Sequence, residues 1–283
     1  MKHKAHRPIR KALRTVGKYA LCTAVAVIML APFYWMVTTS LKSYSKVLLF
    51  PPQFWPDPLV WQNYADLFGM QPFLLYMWNS VYIALLVCAG VILFSSLAGY
   101  AFAKIRFRGS SALFLVILSG MMMPVEITTI PLFLALSQLR IAESHFPLIV
   151  PQIFGYGGAF GTFLMRQFFL TIPDELVEAA KIDGCSQPGI FRRIMMPMAT
   201  TAVATLLIFT FLQNWNEFFL PLIYLSSSKL YTIPLALSLF TTENGVQWHL
   251  IMAAATVSTL PVLIVFFLAQ RKFIESLSMT GIK

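Results

Sequence analysis

The stretch YALCTAVAVIMLAPFYWMV, Tyr19 to Val37, runs for 19 residues without a charge. A helix rises about 1.5 Å per residue and the hydrocarbon of a bilayer is about 30 Å thick, so the run is long enough to cross one. Seven of the chain's 21 lysines and arginines precede it, all within the first 18 residues. A secretory leader opens in the same way. This run, however, exceeds the apolar region of a leader and passes into Thr38-Thr39-Ser40-Leu41-Lys42 with no small-x-small cleavage pattern, and we read it as a retained first span.

Working outward, the whole chain has the composition of a membrane protein. Of its 283 residues 58% are hydrophobic and 11% charged, with a mean hydropathy of +0.73, which excludes an ordinary soluble domain. Six segments are long and apolar enough to span: about 19–39, 74–103, 111–139, 146–165, 200–225 and 248–270. The fold class expected is therefore all-α and polytopic. A net charge of +10 suggests nucleic acid in isolation, but the cations flank the apolar runs. Seventeen of them fall on the face shared by both termini and the loops after spans two and four, whereas only Lys42, Lys46, Arg140 and Lys229 fall on the other. By the positive-inside rule both termini are cytoplasmic, with no nucleic-acid role. The organisation expected is a basic cytoplasmic tail over 1–18, a transmembrane domain over 19–270 containing a cytoplasmic loop at 166–199, and a cytoplasmic tail over 271–283.

Cys22, Cys88 and Cys185 are far apart and form neither a disulfide framework nor a metal motif; all three read as structural, and only Cys185, in the polar loop, has a setting compatible with reactivity. The external connections, Ser40 to Phe73 and Ser226 to Gln247, carry Pro51-Pro52, Trp55-Pro56 and Thr241-Thr242-Glu243-Asn244-Gly245 and read as turn-rich surface segments. Proline recurs inside the spans, at Pro32, Pro124, Pro131, Pro151, Pro221 and Pro261. It is tolerated in lipid where neighbouring helices or a water-filled cavity satisfy the freed backbone groups, so these prolines hint at irregular helices around a path. Proline is also simply commoner in membrane helices than in soluble ones.

The loop Arg166 to Ala199 is too long for a plain connector, so it should carry structure of its own. Thr171, Pro173, Asp174 and Glu175 supply a cap, a first-turn proline and acids at the positive end of a helix dipole. Leu176, Ala179, Ala180 and Asp183 then share a face, and Gly184 ends the helix. Ser186, Pro188 and Gly189 open a second helix with apolar Ile190, Phe191 and Ile194 and basic Arg192 and Arg193, closed by Pro197. The expected product is a helix-turn-helix finger. The competing reading is a hairpin resting on lipid, which calls for bulky apolar residues where the alanines stand.

The spacing Glu178-Ala179-Ala180, three residues, Gly184, nine residues, Ile194-Met195-Met196-Pro197 resembles the EAA loop of permease subunits in bacterial binding-protein-dependent ABC importers. The family pattern ends Ile-x-Leu-Pro, and Met196 is a conservative replacement for its leucine. The run Arg166-Gln167-Phe168-Phe169 through Ile182-Asp183-Gly184, the segment Asn214-Trp215-Asn216-Glu217-Phe218 and the closing Gly281-Ile282-Lys283 are similar to the carbohydrate branch, in particular the smaller permease of the maltose importer. The resemblance implies a type I importer permease fold in the bacterial inner membrane. It also implies a second permease, two ATPase subunits holding ATP and Mg at the cytoplasmic face, and an external solute-binding protein. The coupling residues it implies are Glu178, Ala179, Ala180, Asp183, Gly184, Ile194 and Pro197. No cofactor or metal is expected on this chain, and no enzymatic activity: the glycines at 155, 157, 158 and 161 lack the lysine of a phosphate loop and suit close helix packing instead.

For the solute path the sequence offers Asn79, Glu126, Asn214, Trp215, Asn216 and Glu217, because polar groups inside a span are costly enough to suggest function. Straight helices place Glu126 about 23 Å and Glu217 about 26 Å above the cytoplasmic boundary, in the outer half. For Glu217, with Asn214 and Asn216 beside it, an interfacial position is the equal alternative. Met123-Pro124-Val125-Glu126 and the Arg166 to Gly184 run also resemble glycerol-phosphate permeases. A self-contained secondary transporter predicts ion-coupling groups at depth. An intramembrane enzyme predicts paired catalytic groups there, and no Asp lies within a span.

Overall fold

The computed structural model describes residues 6–242 and 245–280. Residues 1–5 of the basic tail, Glu243 and Asn244 of the external turn, and the closing Gly281-Ile282-Lys283 lie outside the described residues. The chain divides into two compact units.

The first unit comprises residues 1–71 and 240–257. Its helix α1, His6–Ser40, begins inside the basic tail rather than at Tyr19. None of the apolar window of its span, Arg14–Ser40, is buried within the chain, so lipid or another polypeptide must cover it. Past its end, Asn63 on α2 (Gln62–Met70) donates its amide to the carbonyls of Ser40 and Lys42, both at 2.8 Å. The buried Lys42 ammonium lies 3.9 Å from the centre of the Trp35 ring, a cation–π contact that replaces part of its lost hydration. A two-stranded hairpin, β1 (Thr241–Thr242) against β2 (Gly245–Val246), pairs Thr241 with Val246. It leads into the last helix, α12, Trp248–Thr280.

The second unit, residues 72–239 and 258–283, is built on two long helical elements. These are α3 (Phe73–Lys104) and the segment formed by α6 (Phe146–Phe154) and α7 (Tyr156–Thr171). On α3 the buried Ile83, Val87, Val91, Ser95 and Gly99 repeat every four residues, and on α7 so do Gly157, Gly161, Met165 and Phe169. Each set forms one ridge along its helix. Where the ridges meet, both turn small: a Cβ added to Gly161 would stand 2.4 Å from Ser95 Oγ, and one added to Gly99 would stand 2.8 Å from the Arg166 backbone nitrogen. Ser95 Oγ uses the approach to donate to the Gly158 carbonyl at 3.1 Å. In lipid, where apolar contact gives no advantage over the solvent, this close backbone packing holds helices together.

Spans three and five are irregular, as their prolines hinted, and not the straight helices on which the two depths were reckoned. The third is α4 (Ser110–Met121) followed by α5 (Val125–Gln138), bent by 94°. Pro124 has no N–H to continue the ladder and pushes Met123 away from helical geometry. Glu126 therefore does not stand about 23 Å along a straight helix, because the bend precedes it. The fifth comprises α10 (Thr200–Trp215) and, after α10 ends, the short α11 (Phe219–Tyr224). Pro221 cannot donate back to Glu217, whose side chain instead accepts from the Leu220 N–H at 3.0 Å and starts the new helix. Pro32, Pro131 and Pro261, in contrast, sit inside uninterrupted helices.

Candidate functional site

The polar loop folds as the helical finger expected, with different local chemistry. Its first helix, α8, is Asp174–Ile182. Thr171 does not cap it: that residue ends α7 and its hydroxyl donates to Phe168 O at 2.7 Å. The opposite end matches the sequence closely. Gly184 takes φ +79°, its N–H donates to Lys181 O at 3.0 Å, and the Cys185 N–H reaches Ala180 O at 2.9 Å. Those two bonds are a Schellman termination, and only the 184 position needs glycine.

The second helix, α9, runs Gln187–Met198 and meets α10 at 76°. Ser186 caps it, accepting from Gly189 N at 3.4 Å. Pro197 does not close this helix at once. Its ring crowds the carbonyl one turn back, and the preceding turn, Phe191–Met195, widens into a π-helix that relieves the clash.

Burial divides the finger. Val177 and Ala180 of α8, with Ile190 and Met195 of α9, join the core of the second unit, so Ala180 does not share an outward face with Ala179. Glu178, Ala179 and Asp183 are exposed, as are Leu176 at 43% and Ile182 at 86%. Leu176, Ala179 and Ile182 recur every three residues, an apolar stripe facing away from the chain's own core. The sequence held a signal for Ile182, an isoleucine flanked by Lys181 and Asp183 at the polar end of a helix.

Two side chains of α3, Lys104 and Tyr100, tie it to this finger, and Arg166 ties it to the end of α7 just before. The Lys104 side chain, only 3% exposed, donates to Ile172 O at 2.6 Å and to Asp174 Oδ1 at 2.5 Å. One turn earlier, the Tyr100 hydroxyl donates to Gln187 Oε1 at 2.6 Å. Arg166 Nε donates to Phe102 O at 3.3 Å, with its guanidinium 4.3 Å from the centre of the Phe114 ring. Beside these contacts a cleft of about 610 Å³ is lined by Lys104, Arg106, Asp174, Glu178, Lys181 and Gln187, among others. The hydrogen bond from Lys104 holds the Asp174 carboxyl below its ordinary value.

The link contributes at pH values above the ordinary titration of the carboxyl and is lost as pH falls through the depressed folded value. It is therefore intact at neutral pH and loosens only in strong acid. Lys104→Met should raise amide hydrogen exchange in α8 about tenfold at pH 7, since a charge-assisted bond to a buried carbonyl contributes ~1.5 kcal/mol. Exchange that matches the parent would remove Lys104 as a tether.

A second concavity, a cavity of about 250 Å³, lies where helices are interrupted; Met123, Thr128, Gln152, Tyr156, Leu220 and Tyr224 are among the residues lining it. Among the described residues no cluster of His, Cys, Asp or Glu could hold a metal ion.

Comparison with known proteins decides the family. Residues 92–278 match the model of the binding-protein-dependent transport system inner membrane component. This chain belongs to that family. The permease is 33% identical to the arabinooligosaccharides transport system permease protein AraQ of Halalkalibacterium halodurans, over 98% of both chains. It is 32% identical to the lactose transport system permease protein LacG of Rhizobium radiobacter, over 95% of this chain and 97% of that one. It is 31% identical to the sn-glycerol-3-phosphate transport system permease protein UgpE of Yersinia pestis, again over 95% and 97%. Its fold matches a crystal structure of a bacterial ABC transporter involved in the import of the acidic polysaccharide alginate, with a TM-score of 0.78 and 22% identity over 93% of this chain and 98% of that one. The permease is thus a multi-pass membrane protein with the type I ABC importer permease fold.

The six residues offered for its solute path do not come together. Asn79 is buried and donates to the carbonyls of Lys229 and Tyr231, both at 3.0 Å. Glu126 is exposed in the first turn of α5. Asn214, Trp215, Asn216 and Glu217 gather at the break between α10 and α11. There the two amides bond back to Thr210 O and Leu212 O, both at 2.8 Å, Trp215 stacks on Phe211 at 5.4 Å, and Glu217 accepts from the Leu220 N–H in the first turn of α11. None of the six lines the cavity at the helix breaks.

Proposed function

We propose that the permease moves a sugar or oligosaccharide into the cell by alternating access, driven by ATP hydrolysed on separate subunits that dock on the finger of α8 and α9. The observation that carries this is the exposed stripe Leu176, Ala179 and Ile182, set on a helix with a sharply defined end and tied to α3 by Lys104 and Tyr100. An apolar stripe on a polar finger is a docking face, and tethered helices transmit displacement. Glu178 supplies the polar contact at its edge, Ala179 the close approach, and Ala180 anchors the finger to its own core. The names of the AraQ and LacG relatives support a neutral sugar as cargo. The similarity to UgpE favours glycerol phosphate as a second reading.

On this reading a second permease covers the unburied face of α1, two ATPase subunits hold ATP and Mg, and an external binding protein delivers the solute. Both termini and the finger are cytoplasmic on this reading, which the distribution of cations supports. Glu178→Lys should cut recovery of the ATPase with the affinity-purified permease about tenfold or more, since reversing a charge at a docking rim costs more than removing it. Solute-stimulated ATP hydrolysis in proteoliposomes should fall with it, while membrane insertion is unchanged. Undiminished recovery would sink the docking assignment.

A further inference from the structure

The spans of the second unit are interrupted at three places, and one cavity is lined by residues that lie in or just beyond each interruption. Met123 lies in the 94° bend between α4 and α5; Gly155 separates α6 from α7; Leu220 and Tyr224 belong to α11, past the break after Trp215. These are built interruptions. A Cβ at Gly155 would stand 2.5 Å from Pro151 O and one at Gly158 2.1 Å from Ile153 O, so the chain uses glycine where it leaves helical geometry.

Depth gives the breaks their meaning. Gly155 is nine residues along the span Phe146–Thr171, which is about 14 Å from the end at Phe146 and so close to the middle of a hydrocarbon core of about 30 Å. Non-helical backbone at that depth is stable only against protein or a water-filled space. The cavity supplies the space, and its lining supplies polar groups without charge. The Gln152 amide and the Tyr156 hydroxyl make no side-chain hydrogen bond among the described residues. Thr128 donates to Val125 O and keeps its acceptor capacity, and the Tyr224 hydroxyl, bonded to Thr129 O at 3.1 Å, does the same. No Lys, Arg, Asp or Glu lines the space.

We propose that this cavity is a solute-contact subsite carried by this permease itself, receiving one uncharged, hydroxylated ring of the passing sugar at mid-membrane. An amide offers both donor and acceptor to a vicinal diol, and the Tyr156 ring offers a flat apolar face to the C–H side of a pyranose. At about 250 Å³ the space is smaller than pockets that enclose whole drug-sized ligands, in keeping with one ring at a time. A phosphate would find no cation there. The inference rests on the sugar reading above and adds to it which residues meet the cargo.

The test uses the complete importer, both permeases, ATPase and binding protein, reconstituted in proteoliposomes, with lactose, arabinotriose and sn-glycerol 3-phosphate as probes. Gln152→Leu keeps volume and removes the amide; Thr128→Trp fills the space; Gln152→Asn restores the chemistry with a shorter reach. The expected result is sugar uptake reduced about tenfold by loss of the amide's bonds and more by filling. Gln152→Asn should recover part of the uptake, with ATPase recovery and ATP hydrolysis without solute unchanged. Sugar uptake at the parent rate in both Gln152→Leu and Thr128→Trp overturns the subsite and leaves the sugar reading standing. Uptake of glycerol phosphate and neither sugar by the parent overturns the sugar reading and the subsite's ligand class together. Loss of the second permease from the Gln152→Leu complex overturns the subsite in favour of a permease–permease contact.

Discussion

With the finger docking an ATPase subunit as proposed, Gly184→Pro should leave the permease inserted in the membrane but separate it from that subunit, with uptake reduced about a hundredfold or more. Residue 184 sits at φ +79° and its N–H donates to Lys181 O. Proline fixes φ near −65° and has no N–H, so it opposes both features at once, at a cost of ~3 kcal/mol or more. The neighbouring bond from Cys185 N to Ala180 O depends on the same turn. The end of α8 therefore unwinds, carrying Ile182 and Asp183 out of register with Ala179. The spans do not share the damage, because a Cβ at 184 meets nothing within 4 Å. Gly184→Asn is the control: asparagine tolerates left-handed geometry, so most of the association should survive. Equal recovery of the ATPase from Gly184→Pro and the parent would show that the turn is not part of the docking surface.

The finger was legible in the sequence because its signals are local. Gly184 ends a helix wherever it is placed, Ser186 and Pro188 open one, and the interval from Glu178 to Pro197 lies within a single stretch of chain. The spans were legible by length and charge, but their straightness was an assumption. Pro124 and Pro221 break their helices while Pro32, Pro131 and Pro261 do not, and the difference lies in tertiary surroundings that a single sequence does not carry. The same limit hid the tether: Lys104 and Asp174 are 70 residues apart, and before folding Lys104 is only one more cation at the end of a span.

The six path candidates stand apart in this chain for a related reason. Polarity inside a span drew attention to Asn79 and Glu217, yet both are occupied in holding backbone, one on the carbonyls of Lys229 and Tyr231 and the other at the start of α11. Gln152 escaped notice because its neighbours are apolar, and only the break at Gly155 opens a cavity beside it. A polar residue in a membrane helix has two uses, to satisfy irregular backbone or to face a cavity, and the hydrogen-bond partners distinguish them.

The ridge between α3 and α7 should be the least forgiving surface in the second unit. In Gly161→Ala, intrinsic helix propensity favours the variant by about 1 kcal/mol. Packing opposes it. The new Cβ would stand 2.4 Å from Ser95 Oγ, 2.8 Å from Ser95 Cβ and 3.2 Å from Val91 Cγ1. The hydroxyl can rotate away, at the loss of its bond to Gly158 O, but the Ser95 Cβ is fixed to the backbone. The helices must separate, and overpacking of this kind costs ~3 kcal/mol, which exceeds the propensity gain. The variant should therefore melt well below the parent in detergent, and Gly161→Leu lower still. Ser95→Gly removes both offending atoms, so the double variant Ser95→Gly with Gly161→Ala should recover more than half of the loss, although Ser95→Gly alone destabilises. Such a positive coupling between residues 66 positions apart is what direct contact predicts. Additive losses in the double variant would place the two residues out of contact and remove the close approach of α3 and α7 on which the packing of the second unit depends.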